Sequence, residues 1–81
     1  MKTTIEISLK MASKAYDAIT DNKNLEERVI NEYPNIWIIE EESYEKAENL
    51  LIEMVYQLAS FEIGKEEYTI KIEKEKYTLQ I

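Results

Sequence analysis

The side chains of this sequence that could do chemistry are carboxylates. Glu40-Glu41-Glu42 is followed by Glu45 and Glu48, and preceded by Glu26, Glu27 and Glu32. Residues 17–53 carry eleven acidic side chains against Lys23, Arg28 and Lys46, in a chain whose net charge is −7. Residues 1–16 are mildly basic and residues 54–81 nearly balanced, so the middle block supplies more than the whole net charge. Paired carboxylates can shuttle protons or hold Mg²⁺ or Ca²⁺, but the first use needs a cleft and the second a defined loop. A core this small rarely forms the cleft, and the spaced Asp/Asn and obligatory Gly of an EF-hand are missing. There is no His and no Cys, which removes the commonest general base, the strongest nucleophile and the usual zinc ligands. Ser8, Ser13, Ser43 and Ser60 stand in no nucleophile motif, and the single glycine, Gly64, cannot build a phosphate-cradling loop. The expectation is a non-enzymatic protein with no metal and no cofactor.

What remains is recognition. Glutamates that converge in space attract basic partners and speed their encounter, an effect that salt weakens. Nucleic acid is not expected as a direct partner, because phosphate contacts need clustered Lys and Arg. The predicted partner is a protein with a basic surface, in the most specific form a nucleic-acid-binding protein. The predicted contacts are Glu26, Glu27, Glu32, Glu40, Glu41, Glu42, Glu45 and Glu48, with Tyr44 as the aromatic anchor beside them. The same glutamates have a structural use, since acids near a helix N-terminus offset its dipole by about 0.3–1 kcal/mol each. The two uses are compatible.

In size and charge the chain resembles the small acidic proteins that phages and mobile elements make against CRISPR or restriction nucleases. That resemblance is one of composition; it implies an inhibitor that mimics DNA and blocks a basic groove, and no residue is carried over from it. The competing reading is a structural or assembly subunit. It would dock through a second apolar side of its longest helix (Ile52, Tyr56, Ala59), or through its C-terminal strand, onto a copy of itself or a larger complex.

These residues need a scaffold. With 44% hydrophobic and 33% charged residues, one Gly and one Pro, the 81 residues read as a single folded domain spanning 1–81. The longest apolar run, Ile36-Trp37-Ile38-Ile39, is too short to span a bilayer, and Met1 to Glu6 lacks a signal peptide's apolar stretch. A cytoplasmic protein is expected.

Thr3, Ile5, Ile7 and Leu9 alternate with polar residues as in a half-buried strand. Met11, Ala12, Ala15, Ala18 and Ile19 then follow a helical period with small side chains. Asn24 and Glu27 have capping-box spacing for a second helix, Leu25 to Tyr33, stopped by Pro34. Ile36 to Ile39 reads as a strand buried on both faces with Trp37 in the core; buried helix is the alternative, which the Ile content disfavours. Ser43 caps the longest helix, Tyr44 to Phe61, with Gly64 placed to supply a positive φ after it. Tyr68, Ile70 and Ile72 would pair with Ile81, Leu79 and Tyr77 in a hairpin turning at Lys74-Glu75, or through a slightly longer loop. The predicted order is β-α-α-β-α-β-β: an α+β fold with a small, mostly antiparallel four-stranded sheet and helices packed on one face.

Overall fold

Alternation in the first strand sets the architecture. In the computed structural model, which describes residues 2–73, β1 (Lys2–Ile7) buries Thr3, Ile5 and Ile7 and turns Lys2 and Glu6 to solvent. It lies inside a four-stranded sheet of order β2-β3-β1-β4, in which every neighbouring pair is antiparallel. The strand ends earlier than its alternation suggests. Ile7 N–H donates to Asn35 O and Ser8 N–H to Glu67 O, and Leu9–Met11 forms a 3₁₀ turn that leaves Leu9 69% exposed.

Helix α1 (Ala12–Thr20) buries Ala15, Ala18 and Ile19, the small-residue stripe expected of it. The segment after it differs from expectation. Helix α2 covers only Lys23–Arg28, and its cap is Asn22, whose Oδ1 accepts from Leu25 N–H at 3.1 Å. The predicted cap, Asn24, instead bonds Arg28 Nε and Glu53. From Val29 the chain is extended as β2 (Val29–Glu32), paired with β3 (Ile36–Glu40) through a turn containing a cis Tyr33–Pro34 bond. The β-branched pair Val29-Ile30 gains more from cross-strand contact with Ile39 and Ile38 than from another helical turn. Tyr33 is almost fully exposed in the turn.

Trp37 and Ile39 of β3 join Ile5, Ile7 and Val29 on the sheet face that meets all three helices. Ile38 points to the opposite face and is still only 6% exposed, so this strand is buried on both sides as predicted. Helix α3 (Tyr44–Ser60) begins at Ser43, whose Oγ accepts from Lys46 N–H at 3.1 Å, and buries Ala47, Leu50, Met54 and Leu58. It ends in a Schellman arrangement: Ile63 N–H donates to Leu58 O and Glu62 N–H to Ala59 O. The left-handed residue there is Glu62, at φ 63°, and not Gly64, whose φ is −86°. Burial of Ile63 and Leu58 fixes the closure two residues ahead of the glycine.

β4 (Tyr68–Glu73) pairs with β1, placing Tyr68, Ile70 and Ile72 opposite Ile7, Ile5 and Thr3 on the helix side. Their predicted hairpin partners, Tyr77, Leu79 and Ile81, lie outside the described residues. The fold is α+β, a small antiparallel sheet of four strands with its helices on one face. The predicted elements of the described residues occur in their predicted order, with β2 inserted between α2 and β3.

Candidate protein-binding surface

The junction between β3 and α3 carries the densest group of predicted contact residues. Glu40 ends β3 on the helix-free face, level with Lys2, which is also level with Glu73. Glu41 is half-buried and engaged. Glu42, Glu45 and Glu48 are exposed, and Tyr44 is 55% exposed. Ser43 holds this group in place: its cap starts the helix immediately after the glutamate run, so Glu45 falls in the first turn, where the helix dipole favours a negative charge.

Helical geometry sorts α3 into flanks, because each residue advances about 100° around the axis. Tyr44, Glu48 and Leu51 share the flank facing β4, where they enclose a slot of ≈50 Å³ with Thr3, Ala47 and Ile72. Glu45 adjoins this flank on the solvent side. Lys46 lies roughly 160° around the helix from Glu48, on the flank with Glu53 and Gln57. That flank is built into the fold: Glu53 accepts from Asn22 and Asn24 side-chain amides, both at 2.9 Å, and Gln57 Nε2 donates to Ala18 O at 2.8 Å. The cation within the glutamate run is thus turned away from the slot.

Three predicted contact residues are not brought to this corner. Glu26 and Glu27 are exposed on α2, which is tied to the Glu53 flank of α3, so the width of a helix (about 10 Å) separates them from Glu48. Glu32 is level with Ile36, at the far end of β3 from Glu40. Four residues of extended chain place the two roughly 13 Å apart. The expected merger of glutamates from both helices into one patch therefore does not occur. The reason is the β2–β3 hairpin, which carries Glu32 away along the sheet. Glu42, Tyr44, Glu45 and Glu48 stay exposed around the start of α3, with the engaged Glu41 beside them and Glu40 turned to the helix-free face.

Among the described residues the ion pairs are Lys10–Glu67 and Lys71–Glu73, each at 3.6 Å, and neither draws on the corner. No three carboxylates among these residues converge closely enough to hold a metal ion. A second, more open concavity of ≈430 Å³ lies at the opposite end of the sheet, between Ser8, Leu9, Asn35, Glu66 and Tyr68. Burial, reinforced by Glu66, raises the Tyr68 hydroxyl above its ordinary pKa there.

Sequence reasoning did not find the slot. Its walls come from two elements far apart in the chain, with Leu51 half-buried and Ile72 47% exposed. No helix among the described residues is long and apolar enough to cross a membrane. No protein-family model, curated protein or solved structure matches the chain.

Proposed function

We propose that this chain is a non-enzymatic protein-binding domain, an inhibitor or adaptor, that presents the β3–α3 corner to a basic surface on another protein. One observation carries the reading: three exposed glutamates (Glu42, Glu45, Glu48) and an exposed tyrosine lie within seven residues around a capped helix start whose only lysine faces the other way. Exposed ion pairs are each worth only about 0.2–1 kcal/mol. The glutamates therefore select and steer, and an apolar contact centred on Tyr44 supplies the affinity. In the most specific form the basic surface is a nucleic-acid-binding channel. With Glu26, Glu27 and Glu32 pointing elsewhere, such an inhibitor blocks one spot of a channel and does not replace a length of duplex. The proposed setting is cytoplasmic, in keeping with a chain free of Cys.

The test is capture of host proteins on the immobilised chain and on a Glu42→Lys, Glu45→Lys, Glu48→Lys variant. A partner that raised salt elutes from the first, and that the second fails to hold, supports the reading. A partner retained equally by both removes it.

Assembly is the second reading, favoured by Ile52 and Tyr56, which are 47% and 72% exposed side by side on the solvent face of α3. Tyr56→Glu should then lower the mass measured by light scattering toward that of a monomer, and an unchanged mass would eliminate it.

A further inference from the structure

The slot beside the glutamates narrows the chemistry of the partner. Its walls are mainly apolar (Tyr44, Ala47, Leu51, Ile72), its floor includes the buried Thr3, and Glu48 stands on its rim. Its ≈50 Å³ is about a third of the ~150 Å³ apolar cavity that admits a benzene ring. An aromatic ring is too large for it, while the branched end of an aliphatic side chain fits. Water held there would find few of the two to four polar partners it needs, so displacing it is favourable. Among the described residues the α3 side of the rim is acidic: Glu45 and Glu48 follow Tyr44 along α3, with Lys46 on the far flank.

We propose that the slot receives one aliphatic side chain, from Leu, Ile or Val, borne on a basic segment of the partner whose flanking Lys or Arg residues reach Glu45 and Glu48. This rests on the acidic-corner reading and adds an anchor to it. Charge complementarity chooses the occupant: an acidic or neutral segment could fill the apolar slot equally well, but would gain nothing from the carboxylates bordering it. The segment lies along the α3–β4 flank, with the aliphatic residue between two basic ones.

Amide shifts of the ¹⁵N-labelled full chain, titrated with the capped peptide Lys-Arg-Leu-Arg-Lys and with its Leu-to-Ser counterpart, test this. The leucine peptide should bind about tenfold more tightly and should move the amides of Tyr44, Leu51 and Ile72. Ile72→Thr, a change on an exposed strand position, should erase that preference. Glu45→Gln with Glu48→Gln should weaken both peptides alike. Equal affinities for the two peptides, with shifts confined to residues 41–48, would overturn the anchor and leave the acidic corner standing. Failure of both peptides to move those residues would overturn the corner as well. Shifts at the slot that depend on protein concentration alone would assign it to a second copy of the chain and overturn the proposal.

Discussion

Glu53 and Glu48 stand on the same helix, five residues apart, in opposite chemical situations. Glu53 accepts two amide hydrogen bonds from Asn22 and Asn24 and ties the start of α2 to the middle of α3. Glu48 borders an apolar slot, is exposed, and makes no hydrogen bond or ion pair among the described residues. One flank of α3 has used its polar groups to fix the fold, and the other has not. Glutamate as a residue type therefore says little about function; what matters is whether neighbouring donors have already claimed it. By this criterion Glu53 belongs to the fold, and Glu42, Glu45 and Glu48 stay available beside the slot.

The comparison can be broken in several ways. Both flanks depend on the shared core, so Met54→Ala or Leu58→Ala, at fully buried positions, should cost about 2–5 kcal/mol. A domain of this size has little more than that in total, and urea denaturation should show the variants largely unfolded. Next in size is the flank contrast itself. Glu53→Ala should cost about 1–3 kcal/mol by removing two hydrogen bonds to a charged group, and Glu48→Ala should change stability by less than about 0.5 kcal/mol. Similar midpoints for the two variants in chemical denaturation would erase the distinction drawn between the flanks.

Glu62→Gly should stabilise the chain by about 1 kcal/mol, read as a raised midpoint. The position is left-handed and its side chain is exposed, so glycine relieves strain without losing packing. A loss of stability would mean that the Glu62 side chain contributes more than the strain costs. The smallest effect concerns Tyr68. Burial, then Glu66, raises its folded pKa above the ordinary 10.0, so the native state favours the neutral phenol. The stability it contributes is present below pH 10 and is lost as pH rises through the folded pKa. Tyr68→Phe should flatten that alkaline decline.

Where sequence reading succeeded, local and tertiary demands agreed. Thr3, Ile5 and Ile7 alternate because one face of β1 is covered, and the Ser43 cap follows from its own hydroxyl. Residues 25–33 defeated it because helix spacing, an apparent Asn24 cap and a following proline all suited a helix. The information that Val29 and Ile30 pair with Ile39 and Ile38 is non-local. Gly64 misled for a related reason: the buried Leu58 and Ile63 decide where α3 closes, and Glu62 accepts the strain. For the site, the glutamate run was plain in the sequence and its subdivision was not. Only the β2–β3 hairpin and the Glu53 clamp separate Glu26, Glu27 and Glu32 from the corner, and the slot wall at Ile72 comes from a strand more than twenty residues beyond Glu48.

Two charge reversals of equal size put the central claim to its most direct test. The captured partner's affinity would be measured for Glu42→Lys, Glu45→Lys, Glu48→Lys and for Glu26→Lys, Glu27→Lys, Glu32→Lys, with folding of each checked by circular dichroism. The corner variant should lose binding at least a hundredfold, roughly 2.7 kcal/mol, while the dispersed variant stays within a few-fold of the parent. Equal losses in the two would show that the partner senses overall charge and not a site, and would contradict the account.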